Sequence, residues 1–395
     1  MSNESYFICD GVILKIAYLS SSVIPSRLAN SVHVMKMCQA LAVNADAVVL
    51  LAPNASMGRE ELTSDIFSYY GVRPIFSIQW VFWSRWLGRS YLSGFLAAIR
   101  IAFGGYDLAV ARCLPSAFFA ALFKIPVIFE YHQPINDSGR MSRLNVFLFK
   151  RLIRRKSFVS FIAITHALKS DFLDHYPELV GRVFVAPDGS DAFPEQFEKI
   201  TLARSSHRLQ VGYVGQLYSG KGMEVVSALC KAAPFVDFHV VGGLQSDIKK
   251  WQAEILAENI TFHGYVPHSQ TPGYIAAFDV LLLPNQKKIT WHKAGGDIGR
   301  WTSPLKMFEY MSAGKPIISS DIPVLREVLQ DDVNALLCPP EDIAAWVHAL
   351  KRLENPQLRA RLGGRALADF LSSYTWAHRA RLIIEHFKSF NKESG

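Results

Sequence analysis

Short apolar runs of three to six residues alternate with amphipathic helical segments along the whole chain of 395 residues. Turn residues bound each run, and this alternation is typical of parallel α/β proteins, in which helices cover both faces of a sheet. Six runs in each half predict two similar sheets. The predicted strands are Leu14 to Leu19, Ala47 to Leu51, Leu108 to Ala111, Val127 to Glu130, Phe161 to Ile164, Val183 to Val185, Gln210 to Val214, Asp237 to Val241, Ile260 to His263, Val280 to Leu283, Pro316 to Ser319 and Ala335 to Leu337.

The length also favours two domains, because 395 residues exceed what one hydrophobic core usually serves. We predict two Rossmann-like, doubly wound α/β domains that face each other across a cleft, the first over residues 1–190 and the second over residues 207–375. Residues 191–206 show little periodicity and are the predicted linker. An amphipathic pattern predicts a final helix over residues 376–391 that packs back onto the first domain.

The cysteine pattern argues against both a disulfide framework and a zinc cluster, because the five cysteines are scattered and none are spaced C-x-x-C. A reducing, cytoplasmic setting therefore fits best. A signal peptide begins with a basic segment before its apolar run, whereas this chain has Glu4 and Asp10 there. We therefore expect no signal peptide. No uncharged apolar stretch reaches 18 residues, so we expect no membrane-spanning helix.

Positive charge is concentrated in the first half of the chain. The whole chain has a net charge of +8, and residues 1–190 hold 19 Lys and Arg against 13 Asp and Glu. Residues 141–158 combine basic and apolar side chains as interfacial helices do, and the Trp- and Arg-rich residues 80–86 have a similar composition. Either these segments contact an anionic membrane surface, or residues 141–158 form a solvated helix that covers the sheet. Nucleic-acid binding is not expected, because no identifiable module interleaves aromatic side chains with the basic ones.

The most informative motif is SPLKMFEYMSAGKP at Ser303 to Pro316. Ser303 suits a helix N-cap and Pro304 suits the first helical position, so a helix is predicted to begin there. The free N–H groups of such a helix start bind anions, and Lys306 would add a full positive charge. Glu309, one turn later, is placed to accept hydrogen bonds from paired ribose hydroxyls. Spacing alone leaves open a capped surface helix with an ordinary Lys–Glu pair three residues apart.

A second motif, GYVGQLYSGKGMEVV at Gly212 to Val226, predicts a strand, a glycine-rich turn and a helix. This layout brings backbone N–H groups close to a phosphate at the carboxyl end of a strand. Lys221 is the only charged residue in the turn and could bind the same phosphate. Glycine turns after strands are common in α/β proteins, so this motif alone does not identify a phosphate site.

In chain order, the glycine-rich turn comes first and the SPLKMFE helix start follows. This pair of motifs resembles that of glycosyltransferase family 4, a family of retaining enzymes with the GT-B fold. That family has a G-R-L-x-x-x-K-G turn and a later E-x7-E motif, where this chain has GQLYSGKG and WTSPLKMFE. The SPLKMFEYM segment is similar to the SPLKxFEYM branch of the family. Four further segments resemble the family and extend the similarity over nearly the whole chain. They are VAPDGSDAF at Val185 to Phe193, VVGG at Val240 to Gly243, FHGYVPH at Phe262 to His268, and the terminal YTWAHRA.

The resemblance implies that the second domain binds a nucleoside-diphosphate sugar. In the first domain it implies that Asn30 and Ser31 lie near donor phosphate or acceptor, and that His132, in EYHQ, lies beside the transferring sugar. His132, Lys221 and Glu309 are the expected catalytic residues, with Glu309 on the ribose. The expected donor contacts are Gly215, Gln216, Lys221, Ser303, Pro304, Leu305 and Lys306 for the diphosphate, and Gly264, Tyr265 and Val266 for the base.

Three positions depart from the family pattern. Gln216 stands where the family has arginine, so one partner for phosphate charge is missing. Trp301 replaces the first glutamate of E-x7-E, and Asp297 is a possible substitute for the lost carboxylate. Asn30 and Ser31 replace the usual glycine pair. These departures leave the identity of the donor sugar open.

The implied reaction is transfer of a hexosyl group with retention of configuration, by front-face attack of an acceptor hydroxyl as the nucleoside diphosphate departs. The helix start and the lysines would neutralise the leaving group, so we expect neither a metal ion nor a further cofactor. The expected donor is linked to UDP or GDP rather than ADP. The acceptor would be a glycan or lipid-linked molecule, in envelope polysaccharide or glycolipid synthesis. Alternatives are a GT-B partner subunit with little turnover, a nucleotide-sugar epimerase and a sugar-phosphate synthase.

Overall fold

The computed structural model describes residues 13–54, 65–82, 88–135, 140–202, 207–289 and 299–394, and the following account concerns these residues. The first sheet has seven parallel strands in the order β3-β2-β1-β4-β5-β6-β7. Its central strands are apolar and buried on both faces, as is typical of parallel sheets covered by helices. The strands are β1 (Lys15–Leu19), β2 (Ala47–Pro53), β3 (Ser77–Val81), β4 (Leu108–Ala111), β5 (Val127–Glu130), β6 (Phe158–Ala163) and β7 (Val183–Val185).

Helices follow the strands of this sheet in sequence and cover it in two layers. One layer packs its apolar side chains with Phe129 and Phe161, and the other packs with Tyr18 and Ile128. The helices are α1 (Ala29–Ala42), α2 (Ile66–Tyr70), α3 (Arg89–Phe103), α4 (Leu114–Leu122), α5 (Arg140–Leu152) and α6 (His166–His175).

The second sheet has six parallel strands in the order β10-β9-β8-β11-β12-β13. Its strands are β8 (Leu209–Val214), β9 (Val236–Val241), β10 (Ile260–Gly264), β11 (Val280–Leu283), β12 (Ile317–Ser320) and β13 (Leu336–Cys338). The helices around it are α7 (Met223–Ala232), α8 (Gln245–Glu254), α9 (Thr271–Ala277), α10 (Leu305–Ser312), α11 (Ile343–Arg352) and α12 (Pro356–Ser373). In both sheets the strand order reverses beside the first strand of the sheet, which is where doubly wound proteins bind ligands.

The prediction of two doubly wound α/β domains is confirmed, and all twelve predicted strands are present with ends shifted by at most three residues. The sequence prediction missed β3, an edge strand whose residues are all at least partly exposed. Trp80 lies in this strand, and the interfacial role of residues 80–86 stays a prediction. Residues 83–87 lie outside the described part of the chain.

The final helix, α13 (Trp376–Ser394), packs against α1 of the first sheet. Trp376, Ala380 and Ile383 are buried in the same apolar cluster as Tyr18. Backbone hydrogen bonds join the start of α13 to the segment after β7, from Ser190 to Tyr374 and from Trp376 to Ser190. The last helix therefore lies on the first sheet although it follows the second one in sequence. The exact domain limits, 190 and 207, stay a prediction.

Helix α5 covers the first sheet and also has an exposed side. Of the apolar residues in its basic segment, Leu148, Phe149 and Leu152 are buried in the core, while Phe147 is 52 % exposed. The helix therefore covers the sheet and leaves one apolar ring exposed, and its contact with a membrane surface stays a prediction. No helix in the described ranges is long and apolar enough to cross a bilayer.

Candidate functional site

The expected donor-binding residues gather at the carboxyl edge of the second sheet, around the start of α10. This helix begins at Leu305 with Pro304 as its N-cap, one residue later than predicted. Ser303 is not the cap, because its hydroxyl accepts a hydrogen bond from the backbone N–H of Asp188 at 3.3 Å instead. Pro304 has no side chain that could cap the first turn of α10, and within the described ranges the N–H groups of that turn have no side-chain cap and could bind an anion.

Lys306 places a buried ammonium group beside this helix start. Its Nζ lies 4.0 Å from the centroid of the Tyr213 ring and has no hydrogen-bond partner among the described residues. It also lies 3.5 Å from the point that a Cβ on Gly215 would occupy, so the glycine turn passes close to the charge. Burial, and then the charge of Lys221, hold the pKa of Lys306 well below its usual range.

Lys221 supplies a second cation to the same region. Burial lowers its pKa to about 8, and its Nζ lies 5.3 Å from the centroid of the Tyr218 ring. A shared anion would stabilise the charged forms of both ammonium groups. A diphosphate carries such a charge.

Glu309 does not form the ordinary surface pair with Lys306 that the spacing left open. Its Oε1 lies 2.8 Å from Nε2 of His268, which follows the loop after β10. The Glu309 side chain is only partly buried, so the carboxylate stays accessible to a ligand. The arrangement is compatible with ribose binding, and His268 is a neighbour that sequence reasoning missed.

The glycine turn and the loop expected to meet the base lie next to each other. Gln216 accepts a hydrogen bond through its backbone oxygen from the Tyr213 hydroxyl at 2.6 Å, and the N–H of Gly242 donates to the oxygen of Gly264 at 2.7 Å. A Cβ on Gly242, whose φ is +108°, would stand 2.4 Å from the oxygen of Gly215, so glycine is required there.

Tyr265 connects this loop to the first domain. The guanidinium of Arg27 lies 4.4 Å from the centroid of its ring, and the Tyr69 hydroxyl lies 3.2 Å from its hydroxyl. Val266 packs against the core of the second domain. The backbone from Gly264 to Val266 therefore lies at the boundary between the domains, where a base could be enclosed.

Asn30 and Ser31 stand in the first turn of α1, at the carboxyl edge of the first sheet. The Asn30 backbone oxygen accepts a hydrogen bond from Nη1 of Arg112 at 3.4 Å. Ser31 is buried, and its hydroxyl bonds to the backbone oxygens of Ser26 and Leu28 at 2.8 and 2.7 Å. That hydroxyl is therefore used within the loop, while Asn30 stays partly exposed. A contact of either residue with donor or acceptor stays a prediction.

His132 follows β5 and is 29 % exposed. Its Nε2 lies 2.5 Å from Oε1 of Glu130, and Nη2 of Arg112 lies 2.8 Å from the same nitrogen and 3.2 Å from Nδ1. Burial and the Arg112 charge lower the pKa of His132 to about 4, so the ring is neutral near pH 7. Its expected position beside the sugar is compatible with this partial exposure.

Glu130 is the centre of a buried polar cluster that sequence reasoning did not predict. His33 lies between two carboxylates, with Nε2 3.2 Å from Glu130 and Nδ1 3.0 Å from Asp188. Burial alone would raise the pKa of Glu130, but Arg379, His33 and Arg112 bring it well below its usual range. Burial opposes ionisation of Asp188 as well, yet His33 and further charges lower its pKa to about 2.

This cluster could in principle supply metal ligands, since one ligand atom from each of His33, Glu130, His132 and Asp188 lies within 4.8 Å of the others. Two guanidinium groups, from Arg112 and Arg379, already contact the Glu130 carboxylate. A divalent cation would add two positive charges beside them. The donor set therefore fits an ion-pair network better than a metal centre.

The departures from the family pattern have different surroundings. Trp301 packs against the apolar core of the first domain, and its indole Nε1 is buried without a hydrogen-bond partner among the described residues. It therefore bridges the domains at the position of the missing carboxylate. Asp297, the suggested substitute, lies outside the described residues.

Two facing doubly wound domains, with an anion-accepting helix start at the edge of the second, define the GT-B class. Protein-family models agree with this geometry: Glycosyltransferase Family 4 matches residues 31–192, and Glycosyl transferases group 1 matches residues 208–355. Together the two matches extend over both domains, so the chain is similar to family 4 glycosyltransferases in its first domain and to group 1 glycosyltransferases in its second.

Individual proteins show the same similarity. The 2-deoxystreptamine glucosyltransferase of Streptomyces kanamyceticus is 27 % identical over 221 residues, 52 % of each chain. The phosphatidyl-myo-inositol mannosyltransferase of Mycolicibacterium smegmatis is 30 % identical over 174 residues, 43 % of this chain and 42 % of its own. The chain thus spans about half the length, or less, of these curated relatives. The structure of HepE from Anabaena, in complex with UDP and glucose, has a TM-score of 0.68 at 16 % identity and covers 95 % of this chain and 100 % of HepE, which shows the shared fold.

Proposed function

We propose that this chain is a retaining, metal-independent glycosyltransferase that moves a hexosyl group from a nucleoside-diphosphate sugar to a hydroxyl group of a glycan or lipid-linked acceptor. The observation that carries the proposal is the buried Lys306 ammonium, which has no hydrogen-bond partner among the described residues and lies beside Lys221 at an uncapped helix start. Burying unpaired charge is costly, and an anionic ligand bound here would offset that cost. The proposal includes membership of the SPLKxFEYM branch.

The donor we propose is linked to UDP or GDP in preference to ADP. HepE, which shares the fold, has been crystallised with UDP and with UDP-glucose. In this chain Lys221, Lys306 and the amides at Leu305 would hold the diphosphate, Glu309 the ribose, and the backbone from Gly264 to Val266 the base. Gln216 adds no charge to the phosphate contacts.

In the proposed mechanism the protein positions reactants and neutralises the leaving group. The two ammonium groups and the N–H groups of α10 stabilise the charge that develops on the departing diphosphate. The acceptor hydroxyl attacks from the same face and passes its proton to the departing phosphate oxygen. Neutral His132 orients the sugar by direct contact of its ring, and contact between the domains excludes water, which would otherwise compete as acceptor.

For the acceptor we propose a glycan or lipid-linked molecule of envelope polysaccharide or glycolipid synthesis, used by a cytoplasmic enzyme at the inner surface of a membrane. One similar protein is named for a lipid acceptor, phosphatidyl-myo-inositol. The exposed Phe147 ring lies on α5 beside Arg151, whose guanidinium is 5.2 Å from the ring centroid. An aromatic ring among basic side chains suits the surface of an anionic membrane.

A thermal-shift panel of UDP, GDP and ADP tests the donor site, since a ligand that binds only the native state raises the melting temperature. We expect stabilisation by UDP or GDP, and loss of it in Lys221→Ala. Glu309→Gln should reduce the preference for UDP over 2′-deoxy-UDP, because the amide offers one uncharged acceptor oxygen where the carboxylate offers two charged ones. Full stabilisation by nucleotide in both variants would refute the proposed donor site.

A second candidate is a GT-B partner subunit that binds nucleotide without turnover. Trp301 favours it, because this ring stands in place of a carboxylate and packs into the first domain. The two candidates differ in a direct assay with labelled donor. Transfer to acceptor or hydrolysis of donor excludes the partner role, whereas nucleotide binding without either reaction supports it.

A further inference from the structure

Arg379 brings the last helix into contact with the carboxyl edge of the first sheet. Its side chain is almost fully buried, and its Nη1 lies 3.2 Å from Oε2 of Glu130, 249 positions earlier in the sequence. Its Nε donates to the backbone oxygens of Pro187 and Ala186, at 2.9 and 3.3 Å. One guanidinium therefore joins α13, the segment between the domains and the end of β5.

The Glu130 carboxylate needs this contact because it is fully buried and each oxygen has a different set of partners. Oε1 faces His132, His33 and Arg112, whereas Oε2 faces Arg379. A buried carboxylate oxygen without a donor is unfavourable, so loss of Arg379 would favour rotation of the carboxylate. A partial rotation would move Oε1 out of line with Nε2 of His132.

The orientation of His132 depends on that oxygen. A carboxylate only accepts hydrogen bonds, so the 2.5 Å contact with Glu130 places the proton of His132 on Nε2. Nη2 of Arg112 lies 2.8 Å from Nε2 and 3.2 Å from Nδ1, and because a guanidinium only donates, it then bonds to the lone pair of Nδ1. Arg112 lies against the same ring and limits its rotation. The ring is therefore held between a carboxylate and a guanidinium at the partly exposed edge of the cleft.

We infer that Arg379 is a positioning residue for His132. By pairing with Oε2 it holds the Glu130 carboxylate, which in turn selects the Nε2–H tautomer and the ring orientation of His132. This inference rests on the proposed function, in which His132 orients the transferring sugar. It makes α13, the last helix of the chain, part of the reaction site on the first domain.

The test compares Arg379→Lys with Arg381→Lys, an exposed position on the same helix. Lysine keeps the charge, but it cannot bond to the backbone oxygens of Ala186 and Pro187 and to Glu130 with one fixed geometry. We expect Arg379→Lys to lower kcat at least tenfold, with the donor KM within about twofold and nucleotide stabilisation unchanged, because the donor binds the other domain. Arg381→Lys should match the wild type. Equal rates in wild type and Arg379→Lys, or equal losses in the two variants, would overturn the inference.

Nitrogen-15 NMR of labelled histidine gives a readout that does not need activity. His132, assigned by comparison with His132→Gln, should show the Nε2–H tautomer in the wild type and a mixture in Arg379→Lys. A wild-type ring protonated at Nδ1, or an unchanged tautomer in the variant, would contradict the inference.

If the lysine variant does not fold, Glu130→Gln with Arg379→Met replaces the buried pair by neutral groups, and the same mixture of His132 tautomers is expected. Absence of both nucleotide binding and transfer in the wild type would instead refute the proposed function while the NMR result still decides the role of Arg379.

Discussion

Lys306 carries a charge that its described surroundings do not neutralise. Its ammonium is buried against Tyr213, and burial and Lys221 hold its pKa well below the usual value of 10.5. The unfolded chain therefore binds this proton more tightly than the folded chain does, and stability increases as the pH rises toward 10.5. At neutral pH the buried Lys306 ammonium therefore lowers the stability of the ligand-free protein, and a bound anion would offset this cost.

Replacing Lys306 by methionine tests this account. We expect Lys306→Met to keep or raise the melting temperature of the free protein, by up to a few degrees for about 1 kcal/mol, because an unpaired buried charge is removed. The stabilisation by UDP should fall to a small fraction of its wild-type value. Lys249→Met, at an exposed lysine, is the matched control. A free protein that is strongly destabilised, with normal UDP stabilisation, would show that the ammonium has a structural partner instead.

At the scale of elements, strands β8, β9 and β10 share a row of hydrogen-bonded polar side chains. His239 lies between Gln210 and His263, with nitrogen contacts of 2.8 and 3.0 Å. Burial, and then His263, lower the pKa of His239 to about 4. The folded chain thus holds this ring neutral, and the row contributes stability that depends on pH.

Acidification should weaken the second sheet through His239. Since its folded pKa is lowered, the unfolded chain takes up the proton first, and stability is lost as the pH falls from about 6.5 to 4. Urea unfolding at pH 7 and pH 5 should show a loss of about 1 kcal/mol that His239→Gln removes. The exposed His348→Gln is the control. The lowered pKa of His132 adds a similar loss of stability in the first domain. The total loss of unfolding free energy between pH 7 and pH 5 in the wild type should therefore exceed the part that His239→Gln removes.

Helices α3 and α5 each leave an aromatic ring exposed on the outer side of the first domain. Phe103 at the end of α3 is 90 % exposed, and Phe147 on α5 is half exposed. We expect Phe147→Ser and Phe103→Ser to reduce binding to vesicles that contain anionic lipid at least threefold each, and salt to weaken binding of the wild type. Leu256→Ser, at an exposed apolar residue beside the second sheet, should bind normally. If wild-type protein does not bind such vesicles at low salt, the membrane part of the proposal is wrong.

At the scale of the whole molecule, Glu327 of the second domain caps a helix of the first. Its two carboxylate oxygens accept hydrogen bonds from the backbone N–H groups of His166 and Ala167, at 2.6 and 2.8 Å. These groups begin α6, whose dipole favours a negative charge there. With the contacts of Tyr265 on Tyr69 and Arg27, this cap holds the domains together across the cleft.

Loss of the Glu327 charge should favour domain opening. We expect Glu327→Gln to weaken closure by about 1 kcal/mol, since the amide offers one acceptor oxygen and no charge. Small-angle scattering of the free protein should then give a larger radius of gyration than for the wild type, and saturating nucleotide should reduce the difference. Glu354→Gln, at an exposed glutamate, should scatter as the wild type does. An unchanged radius in Glu327→Gln would mean that other contacts determine closure.

The sequence alone determined the two sheets, because buried parallel strands are continuous apolar runs that local pattern reveals. It also located the start of α10 to within one residue, since Pro304 cannot occupy a helix interior. It missed β3, because a short and partly exposed edge strand has no such run. It placed the cap on Ser303, whereas the hydroxyl of that residue bonds to Asp188, 115 positions away.

Only the tertiary structure decided which charges are paired. Lys306 and Glu309 have the spacing of a surface pair, yet one ammonium lies against Tyr213 and the carboxylate bonds to His268. The contact of Arg379 with Glu130 leaves no trace in the local pattern of either residue, because it depends on the path of α13 across the first sheet. Periodicity reports which side of an element is buried, while the partner of a buried charge is set by elements that are distant in sequence.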